Sequence, residues 1–234
     1  MENKTRPKAN KSMEHAPDFH CPIFSANDPV AVAIAAEVMK KGGVVVYPTE
    51  TAYALGCNGL DKKVVGRIYA IKHRDRTKPL PVIMANEKMV SQFVSSTLAE
   101  RVLVRKFMPG PLTIAAKKKA PIAASGNAKT VAFRIPANEF ARNLSARLGA
   151  PIVSTSANLS GESAIYEIAE AVGLFSKKAD LIIDAGNLAQ APVSTIVCLL
   201  GKPKILRQGA IAQEKIMGEL KKNGKNAKKS TGNQ

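Results

Sequence analysis

Apolar residues in this chain fall into short β-branched runs separated by stretches with helical spacing, and the alternation continues along the chain without a repeat. Residues 1–25 are polar and proline-punctuated, with no period, and are expected to be disordered. Asn27 or Asp28 then caps a helix with Pro29 in its first turn and Val30, Ile34 and Val38 on one face, ended by Gly42 and Gly43. A strand over 44–47 stops at Pro48, and Asp61 starts a helix that points Val64 or Val65, Ile68 and Ile71 inward. Strands follow over 79–84, 112–116, 130–135, 151–154, 181–183, 195–199 and 204–206. Helices are expected over 86–93, 97–107, 138–148, 166–172 and 213–220. This order argues for one α/β or α+β domain over 26–219, with a twisted mixed sheet flanked by helices, and a disordered basic tail over 220–234.

Two of the strands end in conspicuous polarity. Pro151, Ile152 and Val153 run into Ser154, Thr155, Ser156, Asn158 and Ser160, and the strand before Pro48 runs into Thr49, Glu50 and Thr51. Hydroxyls and amides at the end of a buried strand must either bond their own backbone, as in an ordinary turn, or meet a ligand. In open α/β sheets ligands sit beyond the carboxyl ends of strands, where these groups lie.

Charge narrows the partners. The 234 residues carry 35 Lys and Arg against 18 Asp and Glu, a formal charge of +17 that attracts nucleic acid, nucleotides or another anionic surface. Part of the excess is the lysine-rich tail, which alone is a non-specific phosphate binder. No apolar run approaches the ~18 residues of a membrane span. The 3 cysteines are widely spaced and suit a reducing compartment, so a cytoplasmic location is expected. His15, His20 and Cys21 lack matching ligands, and no metal site is expected.

The chain lacks a P-loop, a dinucleotide fingerprint, a nucleophile elbow and paired metal-ligand motifs. With 3 histidines in all, its chemistry would rest on cations and hydroxyls. Lys72, Arg74, Arg76 and Lys78 cluster after a helix; they either favour its dipole or clamp a polyphosphate. Arg134 ends an otherwise apolar strand and needs an anion: a ligand, or a structural partner such as Asp184 or Glu50. Arg207 has the same ambiguity. Glu50 could be a base, but a lone loop glutamate is more often a cap, and it stays outside the candidate site.

Seven segments in order are Pro-Thr-Glu-Thr-Ala-Tyr-Ala-Leu-Gly (48–56), Lys-His-Arg with Lys-Pro-Leu (72–80), Pro-Gly-Pro-Leu-Thr (109–113), Val-Ala-Phe-Arg-Ile-Pro (131–136), Ser-Thr-Ser-Ala-Asn-Leu-Ser-Gly (154–161), Val-Ser-Thr-Ile-Val (193–197) and Leu-Arg-Gln-Gly (206–209). Together they resemble the YrdC family of threonylcarbamoyl-AMP synthases, over about residues 26–211. The resemblance implies a twisted mixed sheet around a concave basic cavity. It implies condensation of L-threonine, bicarbonate and ATP, with Mg²⁺ carried on the ATP, for threonylcarbamoyladenosine formation in tRNA by a downstream transferase complex. By motif, Thr51, Arg134, Ser156 and Ser194 would hold threonine. Lys72, Arg74, Lys78, Thr130, Asn158 and Arg207 would hold ATP, with Lys72 and Arg74 as the catalytic cations. Ser154 and Thr113 are further candidates.

Three departures qualify the resemblance. The chain looks like the short form, Ile83 stands where some relatives have a histidine, and Lys78 varies in type among relatives. Direct contact with tRNA is a further expectation, and an RNA-binding YrdC-like paralogue without synthase activity is the competing one. Few aromatic residues (0 Trp, 4 Tyr, 7 Phe) count against single-strand reading by stacking.

Overall fold

A computed structural model describes residues 21–230 of the chain. The expected N-terminal extension lies outside the described residues except at its end, where Ile23–Ser25 is a strand, β1, and not part of a disordered arm. It pairs in parallel with β9 (Leu181–Asp184), so two apolar residues, Ile23 and Phe24, were enough to complete a sheet edge.

The strands form two mixed sheets rather than the single sheet expected. The first has the order β1, β9, β2 (Val45–Pro48), β3 (Tyr53–Gly56), β8 (Thr155–Ser156). The second has the order β11 (Lys204–Arg207), β10 (Thr195–Cys198), β5 (Leu112–Lys117), β6 (Thr130–Arg134), β4 (Val82–Ile83), β7 (Ile152–Val153). The apolar run at 151–153 and the hydroxyls after it therefore serve different sheets. β7 pairs with β4, whereas β8 pairs with β3, and Ser154 is the residue at which the chain crosses over. Residues 53–56, read from sequence only as the end of a polar patch, form the second arm of a hairpin with β2. Gly56 is required there, because a Cβ would strike the Val153 carbonyl and the Tyr47 ring.

Both faces of the first sheet are covered. Val44, Val46, Tyr53 and Leu55 join the larger core cluster with Leu112, Ile114, Val131 and Phe133 of the second sheet. Val45, Tyr47, Ala54, Leu181 and Ile183 face the other way, toward α1 (Ala31–Lys40) and α5 (Glu139–Leu148). The period-2 alternation of a strand feeds two separate cores. On α1 the fully buried residues are Ala31, Ala35, Ala36 and Met39, while Val30, expected inward, is exposed and Ile34 and Val38 are half-buried. Small side chains let α1 approach α5 closely, and the larger aliphatics are displaced to the margin.

α2 (Lys62–Ile71) starts as expected, with Asp61 Oδ1 accepting from the amides of Lys63 at 2.8 Å and Val64 at 3.3 Å. α3 (Glu87–Phe93) is capped by Asn86, and α4 (Leu98–Phe107) by a capping box of Thr97 and Glu100. α6 covers Ile168–Phe175. α7 (Gln213–Ser230) packs on α4 and continues well past Leu220, so the tail expected to be disordered from 220 is helical as far as Ser230. Five of the ten residues past Leu220 are lysine, a good helix former, and a helix already docked through Ile216 propagates through them despite Gly224 and the asparagines. No helix among the described residues is long and apolar enough to cross a membrane.

Candidate active site

The ends of the strands and the loops that leave them enclose a cavity of about 310 Å³ between the two sheets. Thr51, Arg74, Arg134, Ser156, Ser194 and Arg207, named from sequence, all line it, as do Thr113 and Ser154. Ile83 is also in the wall.

The β2–β3 turn supplies Thr51. Thr49, noted in the polar patch but not named as a site residue, builds that turn: its buried Oγ1 donates to the Ala52 carbonyl at 2.7 Å and accepts from the amides of Thr51 and Ala52 at 3.2 Å. The turn also supplies Glu50. Arg134, at the end of β6, donates from Nη1 to Glu50 Oε1 at 2.7 Å and from Nη2 to Thr51 Oγ1 at 3.5 Å. The Glu50 Oε2 atom accepts from the Asn138 amide at the start of α5. Of the two structural partners the sequence offered, Glu50 is the one used, while Asp184 Oδ1 accepts from the Gly186 amide. Glu50 therefore belongs to the site, and the signal for it was the need of a strand-end arginine for an anion. One edge of the guanidinium is held by the protein, leaving the other to share with Thr51 and whatever enters the cavity.

Across the cavity, Ser194 Oγ and Thr113 Oγ1 are 2.9 Å apart, and Arg207 donates to the Ser194 carbonyl from Nε at 3.0 Å and Nη2 at 2.8 Å, and to Ser194 Oγ at 2.9 Å. Burial, and then repulsion from Arg134, lowers the Arg207 pKa. Two like charges facing one hollow favour an anion between them. Arg74 reaches the cavity from the loop after α2, with Nε and Nη2 on the carbonyls of Lys78 and Pro79 at 3.3 and 3.2 Å. The loop turns at His73, which has a φ of 50°.

Lys72 and Asn158 do not line the cavity; they stand behind its wall. Lys72 Nζ donates to the carbonyls of Ser156 and Asn158, each at 2.6 Å, and to Asn158 Oδ1 at 3.0 Å. Asn158 Oδ1 also accepts from Ser156 Oγ at 2.5 Å, and Asn158 Nδ2 donates to the Glu162 carbonyl at 2.5 Å. The three ammonium protons are thus spent on the segment that carries Ser156. Burial, then the charge of Arg74, pulls the Lys72 pKa down to about 8, with Glu162 opposing.

Lys78 and Thr130 are not brought into the cavity. Lys78 is exposed, and its contribution is a carbonyl that accepts from Arg74 and from the Tyr69 hydroxyl. Thr130 opens β6 opposite Lys117, four residues from Arg134 and so about 13 Å away along an extended strand. Among the described residues no group of three His, Cys, Asp or Glu could hold a metal ion.

Comparison with known proteins adds the following. The Sua5/YciO/YrdC family model, described as "Telomere recombination", matches residues 37–209. The threonylcarbamoyl-AMP synthase of Pyrococcus abyssi is 34% identical over 197 residues, which cover 81% of this chain and 58% of that protein. A putative threonylcarbamoyl-AMP synthase of Methanocaldococcus jannaschii is 32% identical over 185 residues, 77% of this chain and 88% of the relative. The crystal structure of P. abyssi Sua5 complexed with L-threonine superposes with a TM-score of 0.75 at 34% identity, covering 80% of this chain and 57% of that one. That of E. coli YciO has a TM-score of 0.72 at 28% identity, covering 85% of this chain and 98% of that one. The chain thus spans little more than half the length of the P. abyssi proteins it matches. By the span of the family match, the level of identity and the shared fold, this chain belongs to the Sua5/YciO/YrdC family.

Proposed function

We propose that this protein condenses L-threonine, bicarbonate and ATP into threonylcarbamoyladenylate and pyrophosphate. The observation that carries the reading is the convergence of Arg74, Arg134 and Arg207 with Thr51, Ser156 and Ser194 on one cavity from six separate segments of chain. The relative whose structure holds L-threonine and the relatives named as synthases support it.

The chemistry asks for such a wall. The threonine amine adds to bicarbonate and loses water to give a carbamate. A carbamate oxygen then forms a bond to the α-phosphorus of ATP while the bond to the pyrophosphate oxygen breaks. Neither step needs a protein nucleophile; both need reactants held in line and negative charge balanced. Arg134 offers its Thr51 side to the threonine carboxylate, with Ser156 and Ser194 for the hydroxyl and carbamate. Arg74 and Arg207 would balance the phosphates, and Lys78 and Thr130, outside the cavity, would meet only a part of the nucleotide that extends beyond it. Lys72 acts through the loop it holds. Mg²⁺ would arrive on the triphosphate, because the wall offers hydroxyls and cations in place of carboxylate ligands. The adenylate would pass to a transferase complex that modifies tRNA, and a cytoplasmic location fits that proposal.

Incubation with radiolabelled ATP tests this directly. Pyrophosphate should appear only when threonine and bicarbonate are both present, and serine should substitute poorly. Tight RNA binding with no pyrophosphate under any substrate combination would instead make the chain an RNA-binding paralogue.

A further inference from the structure

Arg207 ends β11, and the chain behind it, 208–212, belongs to neither a strand nor a helix. What holds that segment is a residue outside the cavity wall. Thr195, the first residue of β10, has no exposed surface and does not line the hollow. Its Oγ1 donates to the Ile211 carbonyl at 2.7 Å and accepts from the amides of Gly209 and Ile211, each at 3.0 Å. A hydroxyl has one proton and two lone pairs, so its whole capacity goes to the chain just after Arg207. The Ala210 amide adds a bond to the Val193 carbonyl at 2.9 Å. Gly209 lies so close to the start of β10 that a Cβ there would come within 2.1 Å of the Val193 carbonyl oxygen.

The register of β11 gives this staple its consequence. Ile205 pairs with Val197, but Arg207 and not Leu206 pairs with Ile196, so Leu206 is the extra residue of a β-bulge. Val197 is fully buried in the core, and Ile196 lines the cavity. Residues directly opposite share a face, so an unbroken ladder would turn Leu206 toward the hollow and Arg207 away from it. The bulge reverses that assignment. β11 is a 4-residue edge strand, and Leu206 is 54% exposed, so packing within the strand does little to hold the shifted register. The bonds to Thr195 do hold it, because a one-residue slip would carry Gly209 and Ile211 off its hydroxyl.

We infer that Thr195 is a positioning residue for anion binding: by holding 209–211 it keeps the bulge in register and the Arg207 guanidinium at the hollow. It touches no substrate itself. Adjacent residues divide the task, since Ser194 meets the Arg207 side chain through its carbonyl and hydroxyl while Thr195 meets the backbone that follows. Its role rests on the synthase reading only in taking the anion to be the triphosphate of ATP. A threonine that merely filled the core would be replaceable by valine, whose second methyl occupies the place of the hydroxyl.

The test is calorimetric titration of the full chain with magnesium ATP, with pyrophosphate release measured on the same samples. The wild type is compared with Thr195→Val, Thr195→Ser, Arg207→Ala and the double variant Thr195→Val/Arg207→Ala, all well below their unfolding transitions. Thr195→Val should weaken ATP binding about tenfold, the scale of one misplaced charged hydrogen bond. Thr195→Ser keeps the hydroxyl and should bind within about twofold of the wild type. The double variant should bind within about twofold of Arg207→Ala, because Thr195 acts only through that arginine. Should Thr195→Val fail to fold, Gly209→Ala displaces the same segment from the other side and should show the same loss. A lower melting temperature in Thr195→Val with unchanged ATP affinity would make Thr195 a structural residue and overturn the inference. So would a double variant in which the two losses multiply. The expected pattern of ATP affinities with no pyrophosphate released by any chain would uphold the role of Thr195 and sink the synthase reading alone.

Discussion

Lys72 and Arg134 are both buried cations, 2% and 8% exposed, and each lies behind a polar strand end at the same cavity. They dispose of their protons differently. Lys72 spends all three on the Ser156–Asn158 segment and presents nothing to the hollow. Arg134 anchors one nitrogen to Glu50 and directs another along Thr51 into the hollow. A buried cation whose donors are all matched by the fold positions other groups, and one left partly matched is available to a ligand. The two sit in motifs of similar look, and hydrogen-bond accounting separates them.

The largest expected effect comes from breaking the Arg134 side. Arg134→Ala should lower threonine-dependent pyrophosphate release by about 10²–10³-fold, the scale of losing one preorganised charge donor. It should also cost about 3 kcal/mol of stability, because Glu50, with a side chain 17% exposed, loses its partner. Adding Glu50→Gln to that variant should restore much of the melting temperature and none of the turnover. A double variant that regains turnover would reduce Arg134 to a structural partner and collapse the contrast.

Next in size is the Lys72 side. Lys72→Met should leave the Asn158 carbonyl unmatched and strip one donor each from the Ser156 carbonyl and Asn158 Oδ1, and lower the melting temperature by roughly 4–12 °C, the equivalent of about 2–3 kcal/mol in a domain of this size. Amide hydrogen exchange over 156–160 should quicken in step. Lost ATP affinity with unchanged exchange would mean that Lys72 touches the nucleotide directly.

The smallest effect sharpens the same point through pH. The Lys72 pKa is about 8 in the fold against an ordinary 10.5, chiefly through burial. Between those values the unfolded chain binds more protons than the folded one, so the contribution of Lys72 to stability rises as pH rises from about 8 to 10.5 and is flat below. Subtracting the Lys72→Met unfolding curve from that of the wild type at each pH should expose this slope. A difference that falls through the window would show that the ammonium bonds outweigh desolvation.

Much of this molecule was legible without coordinates because the relevant signals are local. Helix periods and caps placed α2, α3, α4 and α5 within a residue or two, since Asp61, Asn86, Thr97 and Asn138 each bond amides two or three residues on. Polarity at the ends of buried runs marked Thr51 and Ser156 for the same reason, whereas Ser194 was reached only through the family motif.

Tertiary structure alone decided the rest. An apolar run does not say which edge it will pair with, so the division at Ser154 between two sheets, and the hairpin arm at Tyr53–Gly56, came from pairing over long sequence distances. Val30, Ile34 and Val38 looked inward on hydrophobicity, but close approach of α1 and α5 favoured the alanines beside them. The sequence by itself determined that a strand-end arginine would need an anion and that a lysine, Lys72, would close a helix at the head of a basic run. Which anion, and whether that lysine faced ligand or backbone, depended on where folding delivered Glu50 and the Ser156 carbonyl, because a hydrogen bond is settled by ångströms that no spacing in the chain encodes.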